Sequence, residues 1–271
     1  MWQLDPGVGT LDRTSARRLH ARRMRFPLRV VALAALTAAV FGDVQSPPAG
    51  VNELSATEKA EGWQLLFDGK TSAGWRGFKK PDFPSQGWTV ADGCLLHPGR
   101  GGGGDIITER TFDEFELRFE WRMKPNGNSG VKYFVTEDRG GAIGHEYQLL
   151  TGRQVEAVQA PSKGGTAGFY DVLPPEIPVQ LRPADQFNES RILVRANHVE
   201  HWLNGQKTIT YELGSLAVKA AVAGSKFKAV RGFGTRVRGH ILLQDHGGEI
   251  EFRNVKIRTP GEASTVPRDA D

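Results

Sequence analysis

The stretch SRILVRANHVEHWLNGQKTITYEL, residues 190–213, predicts a β-hairpin and points to the fold class. Asn204 and Gly205 stand between two runs of alternating apolar and polar residues. Asn-Gly is the dipeptide that two-residue hairpin turns prefer, because both positions need a positive φ. Successive side chains of a strand point to opposite faces. His201 and Trp202 are neighbours in one of these runs, so one of the two must leave the core.

The hairpin belongs to a series of short alternating runs between residues 62 and 258. The clearest of them are WQLLFDG, GWTVADGCLLH, FELRFEWRM, GVKYFV, HEYQLL, GHILLQDHG and IEFRNVKIR. Gly, Pro, Asn and Asp separate these runs, and many short strands at such spacing are typical of a β-sandwich or barrel in a single domain. One short helix is predicted, at about residues 215–228, as a crossover between strands.

The N-terminal segment differs in composition from the rest of the chain. Residues 25–42, RFPLRVVALAALTAAVFG, are an apolar run flanked by Arg. The run is too short for a membrane span of about 20 residues and suits the apolar region of a signal peptide. We therefore expect residues 1–45 to be an N-terminal extension and signal peptide, with Met24 as an alternative start. The predicted order after it is a linker at 46–60, one domain at 61–260 and a disordered tail at 261–271.

The signal peptide implies export, so the mature protein is expected to be periplasmic or secreted. No cysteine stands directly after the apolar run, so no membrane anchor is expected once the signal is cleaved. Seven of the 35 basic residues and three of the 31 acidic ones lie in residues 1–45, which leaves 28 of each. The mature chain is thus neutral and has no electrostatic footprint for nucleic acid, which we exclude as a partner.

Two local features carry little functional information. Cys94, the single cysteine, permits no intramolecular disulfide and is predicted to be a small core residue. The glycine run GRGGGG, residues 99–104, satisfies a dinucleotide-binding expression. No helix pattern follows it, so we interpret the run as a flexible loop near the rim of a sheet.

Polar side chains occupy one face of several predicted strands. Glu146 and Gln148 share a face in GHEYQLL, Gln244 and His246 share one in HILLQDHG, and Glu120 lies on the polar face of FELRFEWRM. Such a face is ordinarily solvated. Carboxylates, amides and imidazoles beside an exposed aromatic ring are nevertheless the groups that recognise sugars. Glycoside cleavage also needs an acid and a base or nucleophile, usually two carboxyl groups.

The motifs also occur in a recognisable order. They are LFDGKTSAGW, WTVADGCLLH, GGGD, FDEFELRFEWR, GNSGVKYFV, HEYQLL, TAGFYDVLPP, NHVEHWLNGQK, SKF, GHILLQDHG and EFRNVKIR. This ordered set resembles the 3-keto-disaccharide hydrolase family of exported bacterial proteins. The resemblance implies an all-β fold, a concanavalin A-like jelly-roll sandwich of two antiparallel sheets. Residues 151–165, TGRQVEAVQAPSKGG, depart from the Asp-Asp and His-Pro-Asp-Ala type loop of the family, which leaves the substrate preference open.

The resemblance implies an enzyme that cleaves glycosides whose sugar carries a 3-ketone. A C3 carbonyl acidifies the C2 proton, so that a base can remove it, the C1 substituent leaves by elimination, and water adds afterwards. Glu146 is the predicted base, with Glu120 and His246 as its catalytic partners. A divalent cation held by Glu146 and His246 would polarise the ketone. The residues predicted to bind the saccharide are Gln148, Gln244, Tyr170, Lys132, Asn128, Trp202 and His201.

Other interpretations stay open at the level of sequence. A core position explains His201 equally well, and a turn explains Asn128. A non-catalytic carbohydrate-binding module would use the same architecture without an ionisable cluster. A structural or adhesive surface protein predicts no pocket at all.

Overall fold

The computed structural model describes residues 50–100, 102–152 and 162–260. The predicted N-terminal extension and signal peptide, the predicted tail and most of the atypical 151–165 loop lie outside the described residues. Within the described ranges, no helix is long and apolar enough to cross a membrane.

The described residues form thirteen strands in two antiparallel sheets, as predicted. The strands are β1 (Gln64–Leu65), β2 (Trp75–Gly77), β3 (Thr89–Ala91), β4 (Cys94–Pro98), β5 (Ile106–Thr108), β6 (Phe115–Met123), β7 (Asn128–Val135), β8 (His145–Leu150), β9 (Asn188–Arg195), β10 (His198–Leu203), β11 (Gln206–Glu212), β12 (His240–Leu243) and β13 (Glu249–Arg258). The larger sheet has the order β11-β10-β9-β6-β13-β4-β3, with β1 also paired to β13, and the smaller sheet has the order β2-β5-β12-β7-β8.

Two short helices accompany the strands in the described part of the chain. The helix α2 (Leu216–Ala223) lies in the predicted crossover, where Ser215 caps it by accepting a hydrogen bond from the Val218 N–H. The helix α1 (Ala56–Ala60) lies in the predicted linker and begins with a capping box, in which Ser55 and Glu58 satisfy each other's backbone N–H. One helix was predicted, so α1 is an addition.

The Asn204-Gly205 hairpin forms between β10 and β11. Asn204 has φ 49° and Gly205 has φ 81°, and the flanking Leu203 and Gln206 are paired. Two consecutive positive φ values are the mark of the turn that this dipeptide predicts. In β10 the ambiguity between neighbours is resolved: His201 lies in the core with 0% exposure, and Trp202 lies on the outer face.

The core lies between the two sheets and is rich in aromatic rings. Phe119 of the larger sheet packs edge-to-face on Tyr147 of the smaller sheet, with ring centres 5.7 Å apart. The Trp121 indole N–H donates to Ser190 Oγ at 2.9 Å, so its polar atom is satisfied. Burying each such side chain stabilises the fold by about 1.5–3 kcal/mol. Cys94 is buried, as predicted.

The outer face of the smaller sheet is divided into two halves. On one half Ile107, Val135 and Leu242 form a second apolar cluster, and Phe78 and Ala142 pack on it. The other half carries polar side chains of β7 and β8. This polar half is the floor of the candidate site.

Candidate active site

A cavity of about 270 Å³ lies over the polar half of the smaller sheet. Strands β7 and β8 and the end of β12 supply its polar floor, and the segments around residues 142–144, 170 and 226–227 supply its walls. It contains seven of the ten residues predicted from the sequence: Asn128, Lys132, Glu146, Gln148, Tyr170, Gln244 and His246.

Glu146 is the carboxylate that lines this cavity, and it is deeply buried. It alternates with the core residues His145 and Tyr147 along β8 and is only 5% exposed, because the walls cover the sheet at this point. Among the described residues, no hydrogen bond or ion pair reaches its carboxylate. Burial raises the pKa of Glu146, against the opposing effect of the Lys132 and Lys226 ammonium groups.

Gly130 provides the space that the Glu146 side chain occupies. Gly130 lies opposite Gln148 on β7, and a Cβ at this position would lie 2.4 Å from Glu146 Oε1. No side chain other than hydrogen fits there while the carboxylate keeps its place.

Amide groups surround the carboxylate. Gln148, 3% exposed, donates from Nε2 to Asn128 Oδ1 at 3.0 Å, which fixes both side chains on the floor. Asn128 begins β7, so it belongs to the sheet rather than to the preceding turn. The Gln244 main chain is held by Gly130 and Ser129, and its side-chain Oε1 is buried without a hydrogen-bond partner among the described residues. This oxygen is therefore an acceptor that a hydroxyl group of a ligand can satisfy.

Lysine side chains bring positive charge to the cavity from two directions. Lys132 Nζ donates to the Ala142 carbonyl at 3.2 Å and is 3.9 Å from Asp105 Oδ2. Lys226 Nζ lies 4.2 Å from the centre of the Tyr170 ring, and the Tyr170 N–H donates to the Glu146 carbonyl at 3.0 Å.

Sequence reasoning missed Lys226 and Phe227 as cavity residues. Both belong to the SKF motif, which is part of the ordered set quoted above, so that motif is the signal that could have identified them. His246 follows β12, is exposed and lines the mouth of the cavity.

The structure does not bring Glu120 to the cavity, so the predicted pairing of Glu120 with Glu146 does not fit the geometry. Glu120 lies on the outer face of the larger sheet, whereas Glu146 lies on the outer face of the smaller one. Its carboxylate accepts hydrogen bonds from Arg253 Nε and Asn254 Nδ2, both at 2.7 Å. Asn254 has φ 49° at a break in the β13 register, so Glu120 holds a bulge in place.

Two predicted saccharide-binding residues also lie elsewhere. His201 Nε2 is 2.9 Å from the Tyr133 hydroxyl and its Nδ1 is 3.3 Å from the Ala167 carbonyl, which makes it a satisfied core histidine. Trp202 lies on the larger sheet beneath the Arg191 guanidinium, whose carbon is 5.0 Å from the ring centre.

The donor atoms of the cavity do not match the divalent cation that the sequence suggested. The described residues contain no group of three or more His, Cys, Asp or Glu side chains placed to hold a metal. Glu146 and His246 would be its carboxylate and imidazole ligands, and the positive charges of the nearby Lys132 and Lys226 ammonium groups oppose the binding of a further cation there. These residues therefore do not fit a divalent cation.

Comparison with known proteins agrees with the fold. Residues 62–258 match the family model of the 3-keto-alpha-glucoside-1,2-lyase-like domain. A protein of Bacteroides thetaiotaomicron named 3-keto-disaccharide hydrolase is 31% identical over 241 residues, which cover 78% of this chain and 82% of that protein.

Two solved structures from Parabacteroides distasonis, each described as a candidate glycosyl hydrolase, are similar in fold. The first is 32% identical with a TM-score of 0.68 and covers 78% of this chain and 99% of its own. The second is 23% identical with a TM-score of 0.57, covers 73% and 98%, and supports the fold alone. The two antiparallel sheets, the polar cavity and the match over residues 62–258 lead to one conclusion: the chain belongs to the 3-keto-alpha-glucoside-1,2-lyase-like family.

Proposed function

We propose that this protein is an exported enzyme that cleaves 3-keto-glycosides at C1 by elimination, with Glu146 as the base. The observation that carries the proposal is a buried carboxylate that has no partner among the described residues and is surrounded by amide and ammonium groups in one cavity. The name of the Bacteroides thetaiotaomicron relative, 3-keto-disaccharide hydrolase, supports the same substrate class.

The amides bind and orient the keto sugar. Gln148 and Asn128 are already locked together, and each keeps hydrogen-bonding capacity for hydroxyl groups. Gln244 Oε1 accepts from a further hydroxyl. The Tyr170 ring and the Phe227 ring form apolar walls for the C–H face of the sugar.

Proton transfer begins at the Glu146 carboxylate, which removes the C2 proton. The C2–H electron pair moves into an enolate whose negative oxygen, formerly the C3 ketone, is stabilised by the Lys132 ammonium. The enolate then reforms the ketone, a C1–C2 double bond is made, and the C1–O bond breaks. His246 donates a proton to the departing oxygen. Water adding across C1 and C2 completes net hydrolysis.

The number of carboxylates in the cavity favours this route over ordinary glycoside hydrolysis. Conventional glycosidases use two carboxyl groups about 5–10 Å apart on either side of the bond. Among the described residues that line the cavity, Glu146 is the single carboxylate. A 3-ketone removes the need for the second one, because it makes C2–H acidic enough for one base.

The proposal is tested by turnover of a 3-keto disaccharide and of its unoxidised parent. We expect cleavage of the keto form alone, and we expect Glu146→Gln to lower kcat by roughly 10²–10⁴-fold while substrate binding persists. Glu120→Gln is the matched control: it makes the same substitution on the other sheet and should keep kcat. Turnover after treatment with EDTA distinguishes the proposed metal-free route, which keeps its activity, from a metal-assisted route, which loses it.

Three results would contradict the proposal. Cleavage of the parent sugar indicates a conventional glycosidase. Binding of the keto sugar without turnover indicates a carbohydrate-binding module, the alternative of the same architecture. Loss of turnover in Glu120→Gln, with Glu146→Gln active, would move the base to the larger sheet.

Export is a separate part of the proposal and rests on the apolar run at residues 25–42. We expect the mature chain to lack residues 1–45 and to be recovered from the periplasm or the medium. Mass spectrometry of the N-terminus of the native protein checks this, and an intact N-terminus in the cytoplasmic fraction would refute it.

A further inference from the structure

Lys132 and Glu146 carry opposite charges on neighbouring strands and yet do not form an ion pair. They are cross-strand partners in the register of β7 and β8, and both side chains line the same cavity. Opposite charges at directly paired positions ordinarily attract each other. Among the described residues, the Lys132 ammonium instead contacts Ala142 and Asp105.

Asp105 does not line the cavity, but its carboxylate lies beside the Lys132 ammonium. Its Oδ2 is 3.9 Å from Lys132 Nζ, and its side chain is 16% exposed, so water screens the attraction only in part. The Ala142 carbonyl accepts from the same ammonium at 3.2 Å. Both contacts hold the ammonium at a place where it forms no ion pair with the Glu146 carboxylate.

The Asp105 carboxylate is itself fixed by a reciprocal contact. Its Oδ1 accepts the Asp245 N–H at 2.9 Å, and Asp245 Oδ2 accepts the Gly104 N–H at 3.2 Å. These two hydrogen bonds join the segment before β5 to Asp245, which follows β12 and precedes His246. Asp105 therefore contacts Lys132 through one carboxylate oxygen and, through the other, the main chain of the residue before His246.

The glycine run explains how Asp105 reaches this position. Gly103 has φ 100°, and a Cβ on it would lie 2.4 Å from the Gln86 carbonyl oxygen. The Gly104 carbonyl accepts the Trp88 indole N–H at 2.8 Å. The part of the run that the structure describes, residues 102–104, therefore packs closely on the segment at 86–88 and delivers Asp105 to Lys132.

We propose that Asp105 is a positioning residue: its carboxylate holds the Lys132 ammonium at the Ala142 side of the cavity, which leaves Glu146 unpaired as a base. The catalytic consequence rests on the proposed function. The position of the Lys132 ammonium does not rest on the proposed function, so the positioning role and the catalytic role can be tested separately.

The first test is a crystal structure of the full mature chain with Asp105→Asn, beside that of the wild type. Asparagine keeps an acceptor for the Asp245 N–H and removes the charge. We expect Lys132 Nζ to move to hydrogen-bond distance, about 2.7–3.2 Å, from the Glu146 carboxylate. A Lys132 side chain that stays at Ala142 overturns the proposal, whatever the activity of the protein.

The second test is kinetic and uses a 3-keto disaccharide. We expect Asp105→Asn to lower kcat roughly 10–100-fold with little change in KM, because the Lys132 ammonium then pairs with Glu146 and weakens it as a base, whereas the sugar-binding groups stay in place. The double variant Asp105→Asn, Lys132→Gln should have the kcat of Lys132→Gln alone, since Asp105 acts through Lys132. Independent, multiplying losses would refute that route.

Asp92→Asn is the matched control, because Asp92 is an exposed turn residue between β3 and β4, and it should keep kcat. If Asp105→Asn does not fold, Asp105→Ser removes the same charge in a smaller side chain that still accepts a hydrogen bond, and both tests are repeated with it. A wild-type protein without turnover contradicts the proposed function, and the crystal structures then still decide the positioning role.

Discussion

Among the described residues, the Glu146 carboxylate is buried without a partner, in contrast to the buried carboxylate of Glu116. Glu116 is also almost fully buried, at 2% exposure, but Arg191 and Arg258 bind it and lower its pKa despite burial. Glu146 has no such partner among the described residues, and its pKa is raised. An unpaired buried carboxylate destabilises the fold, and this cost is expected at a functional position rather than at a structural one.

The raised pKa of Glu146 predicts a stability change in Glu146→Gln. The native state binds more protons than the unfolded chain between pH 4.5 and the raised value, so wild-type stability falls as pH rises through that window. A glutamine side chain does not ionise, so the variant does not lose stability in this window. We expect the variant to have a higher Tm than the wild type at pH 7 and a similar Tm at pH 4, as measured by thermal unfolding. A wild type that is the more stable protein at pH 7 would contradict the raised pKa.

At the scale of elements, β7 and β8 act together as the floor of the cavity. Their register places Lys132 opposite Glu146 and Gly130 opposite Gln148, so that each polar side chain of β8 faces a defined partner on β7. Because Gly130 has no side chain, the Glu146 carboxylate can lie against its Cα. The geometry of the base is thus a property of the strand pair.

Gly130→Ala is predicted to displace the Glu146 carboxylate, because its Cβ would lie 2.4 Å from Glu146 Oε1. We expect kcat to fall by roughly 100-fold, the scale of a misplacement of about 1 Å, with the fold retained. Gly140→Ala is the matched control, since a Cβ at Gly140 meets nothing within 4 Å. Kinetics and circular dichroism of both variants check this, and equal activities would show that the carboxylate tolerates the methyl group.

At the scale of the whole molecule, the two sheets enclose titratable groups that never meet water. His145 and His201 lie between the sheets, and burial lowers the pKa of each to about 3. The Gly234 N–H donates to His145 Nε2 at 3.0 Å, so this imidazole is neutral and serves the fold. His198, the first residue of β10, differs because hydrogen bonding to Glu212 raises its pKa.

The buried imidazoles predict a loss of stability in acid. Between pH 6.5 and about 3 the unfolded chain binds protons that native His145 and His201 do not, so the free energy of unfolding falls as pH falls through that window. Each imidazole contributes a slope of at most about 1.4 kcal/mol per pH unit. Urea unfolding between pH 6 and pH 4 should show a smaller slope in His201→Gln and an unchanged slope in His198→Gln. Equal slopes in all three proteins would refute the neutral state of His201.

Alternation and turn chemistry were sufficient to predict much of this molecule. They placed the strands and the Asn204-Gly205 hairpin, and they placed Glu146 and Gln148 on the face opposite Tyr147, because a period of two is a property of the local backbone. Seven of ten predicted site residues meet in one cavity for the same reason, together with the likeness of their motifs to a known family.

Only the tertiary structure decided which polar sheet face is covered by other segments of the chain and which is exposed to solvent. Glu120 and Glu146 have the same local pattern, yet β6 and β8 belong to different sheets, and that depends on pairings far apart in sequence. Likewise His201 or Trp202 could have entered the core by alternation alone. Lys226 lines the cavity although it lies 80 residues beyond Glu146 in the chain. Asp105 follows a glycine run, and no local sequence pattern predicts that it contacts Lys132. Long-range packing assembles the site, and the alternation of side chains along a strand carries no information about which strands pack together.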